Sequence, residues 1–139
     1  MAEFNKFYQY EADVHNGLHD FSNHKLKVML TNVQPQKNHT VRANLTEIKV
    51  GNGYEAGGAL ITTLSSIQSD GVWRLLCKSI TFTTSGGSIG PFRYAVLYNS
   101  FHPPGPLIGW WDYGSAITLP DQSAFTVVLD HDKGVLCSS

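Results

Sequence analysis

Four groups of residues in this sequence have types and spacing that chemistry uses. In "GNGYEAGGAL", Gly51, Gly53 and Ala56 satisfy G-x-G-x-x-G/A, and Asp70 follows about twenty residues on, where a dinucleotide site places its ribose-binding acid. In "GGSIG", Ser88 stands at the nucleophile of G-x-S-x-G, with Asp112 and His131 following in the order of an α/β-hydrolase triad. His15 and His19 stand at i and i+4, with His24 beyond, a spacing that would put two imidazoles on one helix face for a metal. Glu55 and Asp112 offer carboxylates of the kind that glycoside hydrolysis pairs.

Each group needs a particular setting. A dinucleotide fingerprint must join a strand to a helix whose N-terminal amides face the pyrophosphate. "LTEIKV" can supply the strand, but "ALITTLSSIQS" is rich in Thr, Ser and Ile and suits a strand better than a helix. Asp70 falls in the "SDG" turn rather than at the end of a second strand. The glycines are therefore expected to give positive φ angles and close backbone approach in a wide loop. A nucleophile elbow also needs a helix after it, whereas Pro91 leads into the strand-like "FRYAVLYN". Asn16 occupies the place of the zincin glutamate, and neither Cys77 nor Cys137 lies in a C-x-x-C pair, so exposed helix histidines are expected. Nothing favours Glu55 and Asp112 over other acidic pairs. The reading is of a non-enzyme with no catalytic residue, cofactor or metal.

The elements that carry these residues change period early. Phe4, Phe7, Tyr8, Val14 and Leu18 recur at helical steps until Gly17 interrupts, which predicts a helical N-terminal arm over 1–24. "KLKVMLTN" then alternates, with Leu26, Val28 and Leu30 on one face and Lys25, Lys27 and Met29 on a wet one. "TVRANLTEIKV", "VWRLLCKSITFTT", "FRYAVLYNS", "LIGWWDYG", "AITL", "FTVVLD" and "GVLC" read as further strands. Roughly seven to nine short strands, with turn signals about every eight to twelve residues, predict a mainly β chain: an antiparallel β-sandwich over 25–139. Trp110 and Trp111 are adjacent, so a regular strand would send them to opposite faces and make one a candidate for an interface.

Composition narrows the partners. A chain of 139 residues that is 42% hydrophobic and 15% charged can bury one real core and is not a disordered segment. Ten Lys and Arg against eleven Asp and Glu leave no basic field, which argues against nucleic acid. No apolar run is long enough for a bilayer, so no membrane partner is expected. The opening "MAEFNKFYQYEADVH" lacks a continuous apolar core, as expected of a protein made in a cytoplasm. Charge is nonetheless uneven. Lys25, Lys27, Lys37, Arg42 and Lys49 face only Glu47 in their stretch, whereas Asp112, Asp121, Asp130 and Asp132 outweigh Lys133 near the end.

Longer blocks carry a resemblance. "SGGSIGPFRYAVLYN" and "PLIGWWDYGSAITL", together with "KVMLTN", "ANLTEI" and "GNGYEAGGAL", resemble small structural proteins of tailed bacteriophages, in order and with similar gaps from about Lys25 onward. The resemblance implies a capsid decoration or cement protein, a β-sandwich of jelly-roll type that forms dimers or trimers. Its partner would be the major capsid protein, and its location the outer surface of the virion head after synthesis in the bacterial host cytoplasm. It brings no catalytic residues. "NSFHPPGPLIG" departs from the usual pattern, with Phe101, His102 and three prolines in the connector. Expected contact residues are Phe4, Phe7 and Tyr8 on the arm, Tyr54 and His102 on loops, and Trp110 and Trp111 on a strand. A tail or neck component and a carbohydrate-binding sandwich displaying one of the tryptophans are the alternatives.

Overall fold

The spine of the molecule is a long antiparallel hairpin, β7 (Ile89–Asn99) and β8 (Leu107–Leu119), in which Ala95 lies opposite Trp111 and Val96 opposite Trp110. The computed structural model describes residues 4–129 and the backbone of 136–138. Around the spine lie β1 (Phe4–Lys6), α1 (Tyr8–His15), β2 (Leu26–Thr31), β3 (Ala59–Leu60), β4 (Thr63–Ser69), β5 (Val72–Cys77), β6 (Ile80–Thr83), β9 (Ala124–Val127) and β10 (Leu136–Ser138). The chain is mainly β, with antiparallel sheets that are not closed. Five strands form one sheet in the order β1-β8-β7-β2-β3, three form β10-β5-β4, and β6 pairs with β9.

One core joins the three sheets. Val28, Leu30, Leu75, Phe82, Phe92, Leu97, Ile108 and Trp111 belong to a single buried cluster, so the smaller sheets pack on one face of the large one. The other face of the large sheet is buried too, by Phe7, Met29, Leu45, Tyr94, Val96, Tyr98, Leu107 and Trp110. This corrects the wet face assigned to β2, where Met29 is fully buried. Alternation predicts a solvated face only when nothing lies across it, and here Phe7 and Leu45 do.

The N-terminus also departs from the helical reading. Phe4, Asn5 and Lys6 pair with Trp111, Trp110 and Gly109 as the edge strand of the large sheet. Gly109 permits this approach, because a Cβ there would stand 2.3 Å from the Phe4 ring and 2.5 Å from the Asn5 carbonyl. Among the described residues of this segment, only Tyr8–His15 is helical. It ends in a Schellman arrangement: Gly17, at φ 78°, donates to the Val14 carbonyl, and Leu18 donates to that of Asp13. The expected arm is thus strand plus short helix, packed into its own chain through Phe7 and Tyr10.

Three strand assignments change. "TVRANLTEIKV" holds a 3-10 turn, Arg42–Asn44, and an isolated bridge from Glu47 to Thr31 rather than a strand. "VWRLLCKSITFTT" divides into β5 and β6, which belong to different sheets. "LIGWWDYG" and "AITL" are one strand, because Asp112 accepts the Gly114 N–H at 2.8 Å and carries β8 past a glycine that reads as a stop. The "SDG" turn is as expected: Asp70 and Gly71, at φ 54° and 80°, close a two-residue hairpin between β4 and β5.

Candidate functional site

The glycine-rich loop is fixed from inside. Tyr54 is 1% exposed, donates its hydroxyl to Glu47 at 2.7 Å and accepts the backbone N–H of Leu30 at 3.0 Å. Glu47 also accepts the Gly57 N–H at 2.7 Å, and the Gly57 carbonyl accepts the Tyr98 hydroxyl at 2.5 Å. Burial, reinforced by the Glu47 carboxylate, pushes the Tyr54 phenol well above its ordinary range, so it stays protonated and can donate. Gly58, at φ +91°, lies so close to β2 that a Cβ would meet the Val28 carbonyl at 1.9 Å. Gly53 is as tight against the Thr83 carbonyl, at 2.1 Å. The glycines serve close approach, as expected, and "ALITTLSSIQS" after them forms β3 and β4 rather than a helix.

This loop meets the proline-rich connector. Ala56 and Gly57 from the first, and His102, Pro103, Pro104 and Gly105 from the second, line a cleft of about 390 Å³ with Lys27, Arg42 and Tyr98. The connector is held by the Arg42 N–H on the Gly105 carbonyl and by the Gly105 N–H on the His102 carbonyl, at 2.9 and 2.7 Å. Arg42 lies over the Tyr98 ring at 5.7 Å. Lys27 Nζ and Arg42 Nη1 both come within 3.5 Å of where a Gly57 Cβ would stand, so two cations converge on one point. Among the described residues, neither forms an ion pair. The cleft is suited to a carboxylate presented by a partner.

The expected contact residues separate into two groups. Phe7, Tyr54, Trp110 and Trp111 are buried, at 1%, 1%, 7% and 6% exposure, and hold the fold instead of meeting a partner. Trp110 and Trp111 do take opposite faces, but both faces are covered, so neither offers an indole platform to a glycan. Phe4 is half-buried with its ring 4.7 Å from that of Trp111. Tyr8 is 68% exposed, and His102 is half-buried at the cleft, edge-on to His24 at 4.8 Å.

The residues singled out for catalysis are not assembled. Ser88 precedes the start of β7, while Asp112 faces Tyr94 six residues further along, roughly 20 Å at strand spacing. Asp112 instead holds Arg93 through two hydrogen bonds of 2.8 and 3.2 Å, and this partner draws its carboxyl below the usual range. Glu55 is exposed beside the glycine loop. His131 lies outside the described residues, as do Asp130, Asp132 and Lys133. His15 is exposed, but His19 is not the exposed helix histidine expected: α1 ends before it, and its side chain is fully buried. Among the described residues, no group of three His, Cys, Asp or Glu is placed to hold a metal ion.

One feature of the surface was not singled out in the sequence. Strand β4 is an edge of its sheet, and from Ile61 to Ser69 the chain has no charge and no proline. Leu64 and Ile67 are each 61% exposed on it, and Leu60 on adjoining β3 is 52% exposed. The signal lay in "LITTLSSIQS": an uncharged β-forming run without the lysine or proline that usually blunts an edge. Searches of family models, curated proteins and solved structures return no match to this chain.

Proposed function

We propose that this chain is a structural protein of a tailed-bacteriophage virion, decorating the outer head shell by binding the major capsid protein and further copies of itself. In this reading the three sheets act as a β-sandwich of jelly-roll type, associated as a dimer or trimer. The observation that carries the proposal is the β4 edge, on which no strand lies among the described residues. Monomeric proteins blunt such edges, because a row of unpaired N–H and C=O groups beside apolar side chains recruits another strand. Beyond a bulge at Leu64, the neutral edge Ser65–Ser69 runs in continuous register with β5, and the exposed Leu64 and Ile67 beside it suit a protein whose work is to join other chains. The Lys27 and Arg42 cleft supplies a second, polar contact. Individually modest contacts of this kind become firm when repeated over a lattice. The family resemblance of the long sequence blocks points the same way.

The test is the copy number of the chain in purified virions, measured by quantitative mass spectrometry against the major capsid protein. A ratio near one, or a simple fraction of it, is the expected result. About a dozen copies or fewer would overturn decoration and move the protein to a symmetric ring at the neck or tail.

A further inference from the structure

The edge strand β4 offers a definite set of backbone groups. The two-residue Asp70–Gly71 turn joins it to β5, with Ser69 opposite Val72, Ile67 opposite Arg74 and Ser65 opposite Leu76. In such a hairpin the residues flanking the turn exchange both backbone hydrogen bonds, and every second pair beyond them does the same. Ser69, Ile67 and Ser65 therefore spend their N–H and C=O groups on β5, while Ser66 and Gln68 turn theirs away from it. Among the described residues no strand receives them. Gln68 is exposed and Ser66 half-buried, so a partner can reach this side. Their side chains are already tied into the hairpin: the Trp73 indole N–H donates to Ser66 Oγ and the Gly71 N–H to Gln68 Oε1, both at 3.1 Å. Backbone is what the edge presents, with Ile67 61% exposed between the two. Ser66 lies opposite the fully buried Leu75, so Ile67 stands on the face of the sheet away from the core.

We infer that the occupant of this edge is β4 of a second copy, paired antiparallel about a two-fold axis at Ile67, so that two copies of the small sheet join into one. Symmetry sets the register. Around that axis Ser66 meets the second copy's Gln68, and Gln68 its Ser66, so both free residues become hydrogen-bonded pairs inside the continuous run Ser65–Ser69. Centring on Ser66 would oppose Gln68 to the bulge at Leu64, and centring on Gln68 would oppose Ser66 to Asp70, which sits in the turn at φ 54°. Either shift wastes a pair. At the axis Ile67 faces its own copy in a non-hydrogen-bonded pair, the closer kind, which takes both exposed side chains out of water. Charge permits the pairing. A residue at a two-fold axis meets its own kind, so a charged one would meet like charge. From Ile61 to Ser69 the chain has none. Arg74, on the neighbouring strand, stands three strand spacings from its copy, about 14 Å, and the two Asp70 positions fall at opposite ends, about 20 Å apart. Both separations exceed the Debye length of about 8 Å at physiological salt. The pairing rests on the joining of copies through β4 proposed above and gives it a geometry.

The experiment is oxidative cross-linking of the full chain, which traps a weak pair, with sedimentation beside it. A Cys137→Ser background is used; Cys77 is buried. Ile67→Cys should give a disulfide-linked dimer on mild oxidation. Ser65→Cys and Ser69→Cys should each stay unlinked alone and link when mixed, because those two positions face each other across the axis. Ile67→Lys and Ile67→Glu should each weaken self-association at least tenfold, and an equimolar mixture should recover most of the loss, since opposite charges then meet at the axis. An unchanged cooperative urea transition in each variant verifies the fold. If Ile67→Cys fails to link while Ile67→Lys still weakens association, the two-fold register is overturned and β4 remains a joining edge. Association that neither charge weakens would overturn the register and the use of β4 together. Binding to capsid shells that is lost in Ile67→Lys, with no dimer of the chain alone, would assign the edge to a capsid strand and overturn the self-pairing.

Discussion

Tyr54 holds a segment that has no ladder of its own. Its hydroxyl takes the place of a neighbouring strand for the Leu30 N–H and fixes Glu47, which in turn fixes Gly57. Tyr54→Phe leaves the ring in place but strands a buried N–H, so equilibrium urea unfolding should show a loss of about 1–3 kcal/mol. Glu55→Gln, on the exposed side of the same loop, should stay within about 0.5 kcal/mol. His19 gives a pH dependence. Burial lowers its pKa from 6.5 to about 4, opposed by Asp13 and assisted by His24 and His102. The unfolded chain therefore holds this proton across a window where the folded chain does not. Stability is full above about pH 6.5 and falls as the pH drops towards 4. Thermal midpoints between pH 7 and 4 should fall less steeply in His19→Phe than in the parent; equal slopes would count against it. The residue scale was only partly legible in sequence. Glycine chemistry at 51–58 follows from composition, but the partner of Tyr54 is 24 positions away and that of His19 is 80.

Elements explain which patterns could be trusted. The run after the glycine loop is a strand because β-branched and hydroxyl residues favour extended backbone, even with Leu60, Ile61, Leu64 and Ile67 at nearly helical spacing. At the N-terminus the opposite happened: Phe4 and Phe7 follow a helical step, yet Phe4 belongs to a strand because Gly109 opens a place for it on β8. That place is a property of β8 and is invisible from residues 1–24. At β4 the exposed edge makes a sharp prediction. Ile67→Lys puts a charge where a second chain would pair, so the self-association constant from sedimentation should fall at least tenfold. Its folding stability should shift by no more than about 0.5 kcal/mol, since the side chain is already exposed. Association unchanged by the lysine would remove β4 from the proposed assembly.

At the scale of the molecule, the N-terminal segment read as a helical arm is part of the fold. It supplies the edge β1, the Phe7 ring 4.6 Å from that of Trp110, and Tyr10 in the main core. Deleting residues 2–20 should therefore cost more than the roughly 3–5 kcal/mol of a single buried aromatic lost, and the shortened chain should lose its cooperative urea transition. A truncated chain with the parent's midpoint would show that the segment is an arm the fold does not need.

By itself the sequence determined the local matters: a mainly β chain, the Asp70–Gly71 hairpin, the glycine loop and opposite faces for Trp110 and Trp111. These follow from side-chain shape, φ preference and the two-residue period, which act between near neighbours. Only the tertiary structure decided that both faces of the large sheet are covered, that Asp112 is taken by Arg93, and that Lys27 of β2 and Arg42 of the 3-10 turn meet in the cleft between the two loops. Burial and pairing depend on which distant elements lie against a surface. That is a property of the assembled sheets, which no window of the chain contains.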